Sequence, residues 1–389
     1  MRILHLAPQP TDRSGIAAYA ERYRRAVGAQ ADVGIEALDA PGAAPTTVRH
    51  VRGYVAAALG AAPRFDVVHA ELGGSGLREL YAARAVARRT RVPLVLTVHD
   101  PPWLTWQPFH VAAVGGGRPT RALVAVAGRG PARRMQRGLA RRADALLALS
   151  ALGAAALRRT LGVDAGTLPY PCDPATAAAG SGDAAADGTG LTVGFHGYWY
   201  GGKGIDVLLA AVALTRDDDA PIRLRLWGGP PAGGGSPADR RQRAAVGAAA
   251  ARLEIADRVA LPGPLADADV PACLAACDVV ALPYEERRST AGLASISSVA
   301  YDALAAGTPV VASRVRALPE IVRDGVDGLL VPPADPRALA AALRALRDDP
   351  VRRRALRAGA RERASLLGLG ATGRAARDVY AGVLRPARP

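Results

Sequence analysis

Gly197, Gly201, Gly202, Lys203 and Gly204 fall within eight residues, between an apolar run and a helical one, and together they suit the binding of a phosphate. Thr192 to Trp199 is apolar and aromatic enough for a buried strand. Gly201, Gly202 and Gly204 form a turn. Ile205, Leu208, Leu209 and Val212 then fall at i, i+3, i+4 and i+7, one stripe of an amphipathic helix. A glycine turn that opens a helix aims free backbone N–H groups, and the positive end of the helix dipole, at whatever lies above it. Lys203 is the only lysine among the 50 basic residues of the chain; the rest are arginine. A compact ammonium on a flexible stem suits a crowded diphosphate better than a planar fork does. Chance would also leave a last lysine somewhere, but turn, helix start and lysine coincide here.

The spacing Gly197-x-x-x-x-Gly202-Lys203 approaches a Walker A loop. Gly204, however, occupies the position where that loop carries Ser or Thr for Mg²⁺. A triphosphate-binding phosphotransferase is therefore the weaker reading. Other residues with chemistry gather earlier. His99 ends the apolar run Pro93 to His99 and is followed by Asp100-Pro101-Pro102. It reads as a cleft-rim histidine or as a hydrogen-bonded loop residue. Asp12, Glu21, Glu71 and Asp100 supply carboxylates near the same edge, whereas His69 inside Asp66 to Ala70 reads as core and His196 is ambiguous. Cys273 and Cys277 lie four apart with no histidine nearby and read as small core residues. With no paired-aspartate motif either, no metal is expected.

The elements that must position these residues alternate. In the first half, strands are expected at Arg2 to Leu6, Asp66 to Ala70, Pro93 to His99 and Ala143 to Ser150. Helices carry Ile16, Tyr19, Ala20 and Tyr23, and then Leu77 to Arg89. Strands separated by helical stretches predict a parallel sheet with helices on both faces, whose ligands meet the loops at the carboxyl ends of the strands. That places Gly15, Glu71 and His99 on one rim. Asp173 to Gly190 is of low complexity and reads as a linker. Alternation then restarts, with strands at Thr192 to Trp199, Ile222 to Trp227, Arg258 to Leu261, Asp278 to Leu282, Pro309 to Ser313 and Gly328 to Val331. Arg-rich helical stretches follow, near Asp335 to Leu366 and Thr372 to Leu384.

Length and charge bound the rest. A chain of 389 residues, half hydrophobic by count, predicts two domains. The N-terminus shows no signal-peptide pattern, no apolar run of about 18 residues lacks charge, and the three cysteines argue against a disulfide framework. These features point to the cytoplasm. The net charge of +15 and the arginine groups at 84–91 and 133–142 suit peripheral contact with an anionic membrane surface, or simply a surface built from arginine. No motif or aromatic interleaving points to nucleic acid.

The segments GYWYGGKGIDVLL, VALPGPL, ACDVVALPY, YDALAAGTPVVAS and LPEIVRDGVDGLLVPPADPRALAAAL resemble, in order and spacing, the donor domain of glycosyltransferase family 4, also called group 1. The Gly15 loop, DVVHA and PLVLTVHD agree with it in the first half. The resemblance implies an α/β chain of the GT-B fold, two Rossmann-like domains with parallel sheets facing across a cleft. An acceptor-binding domain is expected at 1–170, a linker at 171–190, a donor domain at 191–366, and a C-terminal helix at 367–389 packing back on the first domain. It further implies a retaining, metal-independent transfer of a sugar from a nucleotide-diphosphate sugar such as a UDP-sugar to a hydroxyl acceptor.

By the same resemblance Lys203 contacts the donor diphosphate and His99 lies near the transferred sugar. Gly15, Gly197, Gly263, Leu265, Ser297, Ser298 and Val299 line the donor, and Asp302 holds the ribose. Base contacts in the family run largely through the backbone around Gly263 to Leu265. Asp302 also reads as a first-turn helix carboxylate, and Ser297 or Ser298 as an N-cap. The chain departs from the pattern twice. Tyr198 stands where the family has a second basic residue, and Ala294 where it has the earlier of two glutamates. Arg287 or Arg288 could replace the base. Glu285 or Glu286, or Ser297, Ser298 and the N–H groups at the helix start, could replace the acid; otherwise catalysis is lost, leaving an inactive sugar-nucleotide-binding partner protein. Asp12, Glu21, Glu71 and Asp100 would suit a cationic acceptor such as an aminocyclitol, and the arginine clusters would suit a membrane lipid or polysaccharide.

Overall fold

The computed structural model describes residues 1–9, 14–38, 48–74, 76–105, 129–173, 190–229, 236–286 and 295–385. They form two compact units. The first holds Met1–Pro171 and Leu369–Pro389, together with Ser295 and Ile296; the second holds Cys172–Arg288 and Ser297–Gly368.

In the first unit the described strands are β1 (Arg2–Leu6), β2 (Gly34–Ala37), β3 (Val67–Leu72), β4 (Leu94–Val98), β5 (Ala145–Ala148) and β6 (Gly166–Thr167). All pair in parallel, in the order β2-β1-β3-β4-β5-β6. Between them run α1 (Gly15–Gly28), α2 (Val48–Ala61), α3 (Leu77–Arg89), α4 (Arg129–Ala140) and α5 (Ala151–Leu161). β3 and β4 are buried at every position, as parallel strands covered on both faces must be. β2, β6, α2, α4 and α5 are not among the elements expected from the sequence. β2 is an exposed edge strand, so its residues carry no apolar pattern. Helix ends follow local chemistry. Ser14 and Ser150 cap α1 and α5 through their hydroxyls, and Gly162 ends α5 in the left-handed conformation.

In the second unit the described strands are β7 (Leu191–Tyr198), β8 (Ile222–Gly229), β9 (Val259–Gly263), β10 (Val279–Leu282), β11 (Val310–Ser313) and β12 (Gly328–Val331). The order is β12-β11-β10-β7-β8-β9, again parallel. The helices are α6 (Ile205–Ala213), α7 (Pro237–Arg252), α8 (Val270–Ala275), α9 (Ser298–Ala305), α10 (Leu318–Ile321), α11 (Pro336–Asp348) and α12 (Pro350–Leu366). The single helical stretch expected from Asp335 to Leu366 is in fact two helices. Asp349 ends one and caps the next, and Pro350 cannot continue a helix.

The chain then returns to the first unit as α13 (Leu369–Leu384), which packs on α1. Thr372 Oγ1 donates to the Pro169 carbonyl, and Arg377 pairs with Asp32. No helix among the described residues is long and apolar enough to cross a membrane.

Candidate functional site

In the second unit the strand order reverses at β7. Chain order runs to β8 and β9 on one side and resumes with β10, β11 and β12 on the other. The crevice at the carboxyl ends of β7 and β10 is thus the topological switch point, where open α/β sheets bind ligands. The glycine turn leaves β7 there. Gly202 and Gly204 both have positive φ, 85° and 69°. Gly204 is also sterically required, because a Cβ on it would lie 1.8 Å from the Pro283 carbonyl oxygen. The loop after β10 therefore lies directly on the turn, and the Glu285 N–H donates to the Gly202 carbonyl at 3.1 Å.

This packing lays Tyr284 beneath Lys203. The Lys203 Nζ is 3.9 Å from the centroid of the Tyr284 ring and 5.1 Å from that of Tyr200. Tyr284 is buried, and its hydroxyl pairs with Ser297 Oγ at 3.1 Å. Burial pulls the Lys203 pKa down, but Tyr284 and Tyr200 outweigh it and hold the ammonium above its ordinary value. Burial pushes the Tyr284 phenol up, and the adjoining Lys203 ammonium more than reverses that. From the loop after β11, the Arg316 guanidinium reaches 5.7 Å from the same ring.

Two helices start at this crevice with no side-chain cap. Gly204 occupies the N-cap of α6 and has no side chain to offer. Ser297 occupies the N-cap of α9, but its hydroxyl turns to Tyr284 instead of to the helix. In the same unit α7, α11 and α12 are each capped by Ser or Asp, whereas the short helices α8 and α10 also lack a side-chain cap. The open N–H groups of α6 and α9 and the Lys203 ammonium together form an anion-binding arrangement.

The other residues expected at the donor lie as follows. Gly197, with φ 126°, and the half-exposed Tyr198 end β7. Ser298 and Val299 open α9. Asp302 is half-buried in the second turn of that helix, so the first-turn reading is corrected. Ser297 as an N-cap is corrected likewise: its position is right, but its hydroxyl is committed elsewhere. Gly263 ends the edge strand β9, with Leu265 just beyond it. Glu285 is half-buried and Glu286 exposed. Arg287, Arg288 and Ala294 lie outside the described residues. The sequence reading missed Tyr284 and Arg316; the apolar ALPY run hides a tyrosine whose ring acts as a platform.

In the first unit the switch point falls between β1 and β3. Gly15 opens α1, exposed, with open space where a Cβ would stand. Asp12 lies outside the described residues. Glu21 is exposed and pairs with Arg24. Glu71 corrects its expected place. Its carboxylate is 1% exposed, taking Nε2 of His5 at 3.0 Å on one oxygen and Nε2 of His99 at 2.8 Å on the other. Parallel register explains this, since His5 pairs with His69 and Glu71 with Thr97, which sets all four side chains on one sheet face. Asp100 is committed too, its Oδ2 accepting from the Gly74 N–H at 2.8 Å and its Oδ1 from the Ser295 hydroxyl at 3.0 Å.

His99 lies at the carboxyl end of β4, 8% exposed, edge-on to Tyr19 at 4.6 Å. His69 is core, as expected, yet polar in its contacts: Nδ1 meets the Tyr380 and Tyr23 hydroxyls and Nε2 meets Thr97. Burial lowers the His5 pKa and drives that of His69 to about 3. Burial works to raise the Glu71 pKa, but its histidine neighbours more than reverse it, so it stays a carboxylate. Neutral His5 therefore donates Nε2–H to Glu71. Among the described residues no group of three or more His, Cys, Asp or Glu is set to hold a metal ion.

Comparison with known proteins agrees with this architecture. Residues 6–170 match the family model described as Glycosyl transferase 4-like domain, and residues 190–349 match the one described as Glycosyl transferases group 1. The chain belongs to the group 1 glycosyltransferases of the GT-B fold. It is 35% identical over 188 residues to the D-inositol 3-phosphate glycosyltransferase of Streptomyces bingchenggensis, a match covering 47% of this chain and 38% of that protein. The match thus spans well under half the length of such relatives. Two solved structures share the fold along nearly the whole chain. The sucrose-phosphate synthase of Thermosynechococcus elongatus has a TM-score of 0.73 at 20% identity, covering 98% of both chains. Anabaena Alr3699/HepE in complex with UDP has 0.71 at 18%, covering 98% of this chain and 99% of its own.

Proposed function

We propose that the protein is a retaining glycosyltransferase that moves a sugar from a nucleotide-diphosphate sugar to a hydroxyl acceptor without a metal. The observation that carries this reading is the Lys203 ammonium at the switch point, held on an aromatic face beside two uncapped helix starts. The bond from the anomeric carbon to the diphosphate breaks, and both electrons leave with the phosphate oxygen. Lys203 and the open N–H groups stabilise that developing charge. The acceptor hydroxyl attacks from the same face, and its proton passes to the departing phosphate oxygen. No strong general base is then needed. His99, held by Glu71, is the acceptor-side group.

The case for a cationic acceptor rested on an acidic rim, and Glu71 and Asp100 are already committed inside the fold. The relatives' name makes a cyclitol phosphate the first acceptor to try. Placement in the cytoplasm, or at the inner face of a membrane, belongs to this same proposal.

The test is thermal shift and turnover with UDP-, GDP- and ADP-sugars, with EDTA or Mg²⁺, on the wild type and on Lys203→Ala. One diphosphate stabilises the native state without metal. The product keeps the donor's anomeric configuration by NMR. Lys203→Ala lowers turnover about 10²- to 10³-fold, the usual effect of removing one preorganised charge donor. Stabilisation by Mg-ATP alone would move the protein to the phosphotransferases. Donor binding without transfer to any acceptor would make it a sugar-nucleotide-binding partner.

A further inference from the structure

We propose that Arg316 is the second cation of the diphosphate site, supplying from the loop after β11 the positive charge that Tyr198 does not supply from β7. The inference rests on the donor reading above and adds a residue to it. β11, β10 and β7 are consecutive neighbours in the sheet, so the loops leaving their carboxyl ends are adjacent. Arg316 lies three residues past the end of β11. Its guanidinium carbon is 5.7 Å from the Tyr284 centroid, and Lys203 Nζ is 3.9 Å from the same point.

Two like charges on one ring repel, and an anion bound between them would relieve that repulsion. Among the described residues neither has a carboxylate partner. Arg316 Nε is buried with no hydrogen-bond partner, and its Nη2 reaches only the Glu285 carbonyl, at 3.5 Å. Arg314, two residues earlier, shows the contrast. It is exposed and neutralised by Asp324 at 2.7 Å.

The backbone points the same way. Arg316 has φ 54°, a left-handed conformation in which glycine is the unstrained choice. A long side chain kept at such a position costs stability; Glu254 and Ala334 share the conformation, but of the three only Arg316 reaches the Tyr284 ring. A nucleoside diphosphate carries two to three negative charges, more than one ammonium balances. A guanidinium adds a planar fork that can take two phosphate oxygens at once.

Arg316→Gly is the direct test, because glycine suits the backbone and removes the whole side chain with its charge. Affinities of UDP, GDP and ADP, of the matching monophosphate, and of inorganic pyrophosphate are measured by calorimetry on the wild type and the variant. Diphosphate and pyrophosphate binding weaken about 10- to 100-fold, the range for lost charged hydrogen bonds. Monophosphate affinity changes less than about threefold, or about 0.65 kcal/mol, and the melting temperature does not fall. Arg316→Gln, which keeps most of the length and loses the charge, shows the same loss. Equal diphosphate affinity in wild type and variants overturns this inference and leaves the donor reading standing. So would an equal loss for monophosphate, which would put Arg316 on the nucleoside side. A wild type that binds none of the three diphosphates overturns both.

Discussion

Lys203 rests on a tyrosine face instead of on a carboxylate, and that keeps its charge available. An aromatic ring attracts an ammonium without neutralising it, whereas an aspartate in the same place would compete with any phosphate. Glu71 illustrates the opposite arrangement. Both of its oxygens are engaged by histidines inside the first unit, so its charge orients neighbours and does not face a ligand. His69 of this cluster and His196 on β7 of the second unit set an acid limit on stability. His69 has a native pKa of about 3 and His196 of about 4, both lowered chiefly by burial from an ordinary 6.5. Below 6.5 the unfolded chain binds protons that the native state refuses, so stability falls with pH. Each group contributes a slope of about 1.4 kcal/mol per pH unit, from 6.5 down to its native pKa. The depressed Glu71 pKa acts in the same direction below about 4.5. Melting temperature is therefore level from pH 7 to 8 and drops steadily from pH 6.5 to 4.5. A profile that stayed flat down to pH 5 would show that these histidines are not held neutral.

Among the elements, α13 carries a tight constraint of its own. Gly373 lies inside it, where helix propensity alone favours alanine by about 1 kcal/mol. A Cβ at Gly373, however, would meet the Ala26 carbonyl oxygen of α1 at 2.2 Å. Backbone atoms cannot step aside as a flexible side chain can, so the two helices must separate to admit it. Gly373→Ala is accordingly destabilising by about 1–3 kcal/mol, the usual cost of overpacking, and lowers the denaturant midpoint. A midpoint that rose would mean that propensity had won and that the helices are less closely packed. The glycine at 204 obeys the same logic with a different outcome, because the loop it admits carries Tyr284 to the lysine.

At the scale of the molecule, the last helix completes the first unit. Tyr380 of α13 bonds both Tyr23 and His69, and all three are fully buried. A chain ending at Gly368 would leave those groups without their partner and expose the apolar face of α1. It is expected to melt in two calorimetric steps, the first unit well below the second. A single unchanged transition would show that α13 adds nothing to the first unit. Arginine also has a structural role at this scale. Arg344 and Arg347 converge on Asp218, and Arg243 joins Asp239 to two backbone carbonyls. Part of the large basic excess therefore lies in internal ties of the second unit.

The sequence by itself determined the alternation of strands and helices, the two parallel sheets, and the glycine turn with its lysine. Each of these is written in short-range periodicity or in residue types that demand a local backbone. It did not show β2, because an exposed edge strand has no buried face to imprint a pattern. Nor did it show that Glu71 faces inward, since parallel register sets which side chains share a face. The grouping of Lys203, Tyr284, Ser297 and Arg316 was hidden for a related reason. These residues leave three separate strands and one helix start, and only the order β11-β10-β7 makes their loops neighbours. That order is a property of how whole strands pack, and no local stretch of the chain encodes it.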